Sequence, residues 1–228
     1  MISATTISPL NRRVVEDGQE PFSFGNALQF DRVNDYVSYS TISGLTNATV
    51  NVWINTSYNW HQSYISLNGN IPYMGFRQSG NVIFYQTSAG ESSFSANGLF
   101  TLNNWHMITI TKSGSNIRCF IDGNESGSGT LVNSGALTLN ILGDGWNGYF
   151  EGLCDEVSIW NTALSATDIA NLYNSGNGDY ATNYSPANLQ AYWRMNESGT
   201  ATTAVDSSGN GNDGTLNNFP ASGMWVAH

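Results

Sequence analysis

The chain has 228 residues, 17 of them acidic against 7 basic, for a formal net charge of −10 with only 11% charged residues. That balance excludes the basic footprint that nucleic acid requires and is equally unfavourable to an anionic membrane surface. Aromatics at 12% and 24 glycines suit short strands joined by tight polar turns, and the length supports one large core without requiring a second domain.

Residues 1–21 lack the alternation that begins near Phe22 and are expected to form an arm, either disordered or docked on a neighbouring subunit. Met1 to Arg13 shows no basic stretch followed by an apolar one, so no secretory signal is expected, and no segment has the apolar length of a membrane span. Strands are predicted near 27–31, 34–40, 48–55, 62–68, 72–77, 81–87, 92–94, 105–111, 117–121, 136–141, 149–160 and 189–195. Gly and Asn clusters such as Ser79-Gly80-Asn81 and Asp122-Gly123-Asn124 separate them. Cys119 and Cys154 fall in strands; free buried thiols are favoured, a disulfide being the usual choice of an exported chain.

Residues 148–176 are the most informative. Leu153, Asp155, Val157 and Ile159 alternate with Cys154, Glu156, Ser158 and Trp160, so Asp155 is expected to point inward with the apolar set. A helix near 166–174 follows. Ser165 is its N-cap, Asp168 closes a capping box, Leu164 and Ile169 form a staple, and Gly176 supplies the stop. Residues 175–188 read as a polar connection.

Gly148 to Gly176 resembles the end of a laminin-G-like, or concanavalin A-like, domain. Ala27-Leu28-Gln29-Phe30-Asp31-Arg32-Val33-Asn34-Asp35-Tyr36-Val37 resembles that family's early strand pair, with Arg32 where Gly is usual. Val50-Asn51-Val52-Trp53-Ile54 resembles its next core strand, and Trp105 to Thr111 with Arg118 to Gly123 its central hairpin. The resemblance implies an all-β, two-sheet antiparallel jelly-roll sandwich over 22–228. Leu189 to Gly199 and Asp206 to Leu216 resemble the segment that usually begins such a domain, yet here they come last. The expectation is that 189–228 closes the chain's own sandwich, the alternative being a neighbour's.

Asp206-x-Ser208-x-Asn210-Gly211, with Asp213 close by, places oxygen side chains as calcium loops do, although Asn217 stands where an EF-hand has its bidentate Glu. A polar Asx-turn needing no metal is the other reading. A buried Asp155 must be paired or bound to a metal. The resemblance implies the second, because the Asp of this strand is a frequent structural calcium ligand in the family. Calcium is therefore expected as a structural ion.

Catalysis is not expected. Retaining glucanases on this sandwich use paired carboxylates, and no such run exists here. Glu151 and Glu156, at an odd separation, are expected on opposite faces. His61, His106 and His228 are scattered, and nucleophile-elbow, P-loop and zinc patterns are absent. For sugar binding, Asp144, Trp146 and Asn147 combine an aromatic platform with groups that bond hydroxyls; Trp60 and Tyr73 are further candidates. Trp53, Trp105, Trp160 and Trp193 are assigned to the core, and core cover is the other reading of Trp146.

Two functional classes follow. One is a virion structural protein, such as a phage head-decoration or fibre component, contacting capsid or tail proteins through the arm. The other is a carbohydrate-binding, lectin-like module of a cell surface or extracellular system. The two are compatible, since a decoration can adhere to polysaccharide, and a homo-oligomer fits either.

Overall fold

Alternation along one strand shows where the layers lie. Val50, Val52 and Ile54 enter one apolar cluster while Trp53 enters a second, so this strand is covered on both faces. The computed structural model describes residues 22–58, 62–67, 70–77, 82–87, 90–95, 100–131, 135–145 and 148–228. Its strands are β1 (Asn26–Asp31), β2 (Tyr36–Leu45), β3 (Asn47–Asn55), β4 (Gln62–Leu67), β5 (Asn70–Arg77), β6 (Val82–Thr87), β7 (Gly90–Ser95) and β8 (His106–Ser113). They continue as β9 (Asn116–Ile121), β10 (Asn124–Thr130), β11 (Leu137–Leu142), β12 (Glu151–Trp160), β13 (Leu189–Trp193), β14 (Thr203–Ala204), β15 (Gly214–Asn217) and β16 (Trp225–Ala227). The helix α1 (Ala166–Tyr173) lies between β12 and β13.

One sheet runs β10-β9-β8-β3-β12-β1-β16, and the other β14-β15-β2-β11-β4-β5-β6-β7. Every pairing is antiparallel. Leu28, Val52, Ile65, Ile110, Leu139, Val157 and Trp193 share the apolar layer between them. The protein is an all-β jelly-roll sandwich with one short α-helix among the described residues.

β1 and β13 lie end to end along one edge of β12: Leu28 opposes Cys154, while Trp193 opposes Val157. β15 adds to β2 and β16 to β1, so strands from 189–227 enter both sheets of their own chain. The arm expected at residues 1–21 lies outside the described residues.

The outer face of the β12 sheet carries the second cluster, which includes Trp53, Met107, Phe120, Trp160, Leu164, Ile169, Leu172 and Tyr192. Helix α1 seals it. The Ser165 hydroxyl accepts from Asp168 N at 3.1 Å, and the Asp168 carboxylate accepts from Ser165 N at 3.2 Å. The stop differs from expectation. Asn174, not Gly176, takes the left-handed cap at φ 49°, and its N–H reaches Ala170 O. Asn tolerates that region through its short polar side chain, so Gly was not needed at the cap itself.

Candidate functional site

A bulge in β12 overturns the expected phase of Asp155. Asp155 opposes Trp53 but Ser158 opposes Asn51, so one extra residue sits between them, and Glu156 adopts φ 48°. The bulge reverses the alternation. Cys154, Val157 and Ile159 all enter the inter-sheet core, which neither even nor odd numbering alone allows. Asp155 shares the outer face with its cross-strand neighbour Trp53, a member of the other cluster. Glu156 turns to that face as well, where it meets Tyr192 and Arg194. The parity argument that separated Glu151 from Glu156 fails for the same reason. They still serve different networks, since Glu151 accepts from Thr56 Oγ1 at 3.0 Å and Ser57 Oγ at 3.1 Å.

The two bulge carboxylates are 0% and 3% exposed. Asp155 Oδ2 lies 2.5 Å from His228 Nδ1, and Oδ1 accepts from Glu156 N at 2.8 Å. His228 is itself stacked between Trp105, at 3.8 Å between centroids, and Phe24, at 3.9 Å. Burial pushes Asp155 well above the usual carboxylate range and His228 down to about 4. Both directions leave one proton and no net charge on the pair. Glu156 is pushed up to about 8, by burial first and by Asp155 second, while the Tyr192 hydroxyl and Arg194 act against the shift. Arg194 donates to Ser23 O at 3.2 Å and lies over Tyr180, which ties the Phe22–Phe24 segment to the sheet. Trp105 is thus half-buried cover for His228 rather than a member of the inter-sheet core.

Asp206 heads a separate polar knot. Its Oδ1 accepts from Tyr192 N and Ser208 N, both at 2.9 Å, and its Oδ2 from Ser208 Oγ and Asn212 N, also at 2.9 Å. Asp213 Oδ1 accepts from Asp206 N at 2.8 Å, and Asn210 Nδ2 donates to Leu189 O at 2.7 Å. Ser208, Asn210 and Asp213 are therefore brought together around Asp206, whereas Asp155 has other partners. Calcium takes six to eight oxygen ligands. Neither donor set fits it: the Asp155 oxygens are taken up by His228 Nδ1 and Glu156 N, and those of Asp206 by N–H and O–H groups. Among the described residues no three His, Cys, Asp or Glu side chains gather as a metal would need.

The end of the sandwich where β1, β3 and β11 finish and β2 and β12 begin gathers polar loops into a rim. Asp31 opposes Glu151 across β1 and β12, and Arg32 N donates to Phe150 O at 3.0 Å. Arg32 occupies the left-handed region at φ 64°, the conformation that makes Gly usual at this turn. Its guanidinium lies 3.7 Å from the centroid of the half-buried Tyr58 ring. Phe150 N reaches back to Gly143 O at 2.7 Å, and the next residue, Asp144, accepts Ser66 Oγ on its carbonyl. Burial pushes the Asp144 carboxyl up, against a hydrogen bond from Gly145 N. Beside these, a cleft of about 330 Å³ is lined by Gln29, Asp31, Asp35, Asn218, Pro220, Gly223 and Met224.

Of the sugar-binding candidates, Asp144 is on this rim. Trp60, Trp146 and Asn147 lie outside the described residues, and Tyr73 is placed in β5 opposite Ser66 and Gln86 without a described side chain. Sequence reasoning missed Asp35, Tyr58 and the Asp155–His228 pair. Arg32 at a position expecting Gly was the one available signal for the rim. His106 bridges Thr101 N at 3.0 Å and Asp122 Oδ2 at 2.7 Å, a positioning role that pins the β9–β10 turn. Cys119 and Cys154 are free and buried.

Comparison with known proteins matches residues 31–170 to a family profile described as the concanavalin A-like lectin/glucanases superfamily. The chain belongs to this family. A candidate carbohydrate-binding protein from Bacteroides ovatus superposes with a TM-score of 0.67 at 16% identity, over 91% of this chain and 63% of that one. The chain therefore spans less than two thirds of that protein. Domain 4 of an extracellular arabinanase from Geobacillus stearothermophilus, solved with arabinotriose, gives 0.52 at 17% identity over 64% and 75% of the two chains. A heptameric pentraxin from Limulus polyphemus gives 0.52 at 13% over 63% and 83%. At these identities the likeness is one of fold. No curated protein matches in sequence. No helix among the described residues is long and apolar enough to cross a membrane.

Proposed function

We propose that this member of the concanavalin A-like superfamily is a non-catalytic, lectin-like module that binds polysaccharide at its loop rim. The observation that carries the reading is the Tyr58 ring backed by Arg32 at 3.7 Å, on the loop rim where Glu151 accepts from the adjacent Ser57 and to which Asp144 also belongs. An aromatic plane held rigid next to carboxylates supplies what a sugar needs: a stacking surface for its C–H face and acceptors for its hydroxyls. The fold neighbours with carbohydrate-binding names support it by analogy. The module would consist of 22–228, and an extracellular or cell-surface setting suits it.

Affinity electrophoresis against a panel of plant and microbial polysaccharides tests the reading. At least one should retard the protein, and Tyr58→Ala should abolish the retardation. A virion-decoration role for the same module rests on residues 1–21; co-sedimentation with capsid or tail particles, lost on removing those residues, would favour it. Calcium at Asp155 or Asp206 has no part in the reading, and the hydrogen bonds above argue that both carboxylates are satisfied by protein groups.

A further inference from the structure

We propose that residues 22–25 and 225–228 form a strap over the β12 bulge, and that the strap opens as pH rises because it seals the Asp155 and Glu156 carboxyls away from water. The strap is lightly held. Each of its residues is exposed or half-buried, and β16 is a three-residue strand at the edge of its sheet. His228 N donates to Gly25 O at 3.0 Å, and Arg194 Nη2 donates to Ser23 O at 3.2 Å. Rings supply the rest: Phe24 lies edge-on to Trp53 at 4.9 Å between centroids, and Phe22 edge-on to Tyr180 at 5.1 Å. Segments with exposed hydrogen bonds and few buried contacts open first, at less than the cost of global unfolding. Opening uncovers the Trp53 and Trp105 rings that Phe24 and His228 now cover.

Beneath the strap, charge is kept out by burial. The titratable and charged groups that face one another there are Asp155 and Glu156 of β12, Tyr192 of β13, Arg194 and Glu197 just after it, Tyr180 of the preceding connection, and His228 of the strap itself. Closed, Glu156 keeps its proton up to about 8, through burial first and the Asp155 charge second; Arg194 acts against the shift without cancelling it. Opened to water, the same carboxyl loses that proton near its ordinary 4.5, so opening releases a proton across this window. The Asp155–His228 pair holds one proton when closed. Once apart, Asp155 ionises, and His228 retains a proton only below its ordinary 6.5. Between about 6.5 and 8, opening therefore releases up to two protons, and each makes it about tenfold more favourable per pH unit. The proposal does not depend on the polysaccharide reading.

Amide hydrogen exchange of the full chain, read by mass spectrometry and corrected for the intrinsic effect of pH on exchange, tests it. Protection of residues 225–228 should fall at least tenfold from pH 6.5 to 8, while residues 48–54 in β3 keep theirs. Glu156→Gln keeps an acceptor for the Tyr192 hydroxyl and removes the titrating proton, so the fall should shrink at least threefold. If that variant does not fold, the wild-type contrast between strap and β3 decides. Equal strap protection at both pH values would overturn the proposal. So would a parallel loss in β3, which would mean global unfolding, or an undiminished fall in folded Glu156→Gln.

Discussion

Replacing Asp206 with Ala should destabilise the protein by about 3 kcal/mol, to the same extent with calcium or with chelator. Its two oxygens accept three backbone N–H groups and one hydroxyl. Tyr192 N is buried on the edge of β13 that faces Asp206 and Ser207, where an unsatisfied donor costs about 2 kcal/mol. Ser208 and Asn212 are half-exposed, so water recovers much of their loss and together they add about 1 kcal/mol. For a chain of this size that corresponds to a fall in melting midpoint of roughly 6–12 °C. Urea unfolding with 1 mM calcium or 1 mM EDTA measures it. A loss below about 1 kcal/mol would refute the knot as an organiser of β13. A loss that appears only in calcium would show that the carboxylate binds the ion after all.

Glu156→Gln should change the pH dependence of stability. The carboxyl is held up at about 8 against an ordinary 4.5, so its contribution is full below about 4.5 and is lost as pH rises through 8. Melting midpoints from pH 5 to 8.5 should fall less steeply in the Gln variant, and parallel curves would contradict the assignment. Gly152→Ala should cost roughly 2 kcal/mol or more, because φ is 132° and an added Cβ would lie 2.4 Å from Asn55 O; chemical denaturation measures this, and a loss within 0.5 kcal/mol would refute it. Cys119 and Cys154, both 0% exposed, should resist thiol reagent in the folded state and give two equivalents on unfolding. Fewer than two after unfolding without reductant would point to a disulfide.

Much of the fold was legible because its core strands alternate cleanly. Val50, Val52 and Ile54 announce β3, and the Ser165–Asp168 capping box announces α1. Strands whose pairing owes little to apolar side chains were not legible. β10 reads Asn-Glu-Ser-Gly-Ser-Gly-Thr and sits at a sheet edge, while β14, β15 and β16 are two to four residues long. The bulge was invisible for a different reason. A period-2 reading assumes constant phase, and one residue at φ 48° moved Glu156 to the face of Asp155 and returned Val157 to the core. That slip is why a buried Asp155 was read as an inward metal ligand when it is the partner of His228. The Asp206 spacing left a calcium loop and a metal-free Asx-turn both open, because spacing alone does not say whether N–H groups or an ion fill its centre. The rim depends on residues far apart in sequence, Arg32 with Tyr58 and Asp31 with Glu151, which only the sheet register unites.

The most direct test of the proposed role is polysaccharide retention by the full chain, compared with Tyr58→Ala and Asp144→Ala variants whose melting midpoints match the wild type. The account predicts retention by at least one polysaccharide, lost with Tyr58→Ala and weakened with Asp144→Ala. Failure to bind any polysaccharide, or binding unchanged in both variants, would contradict it.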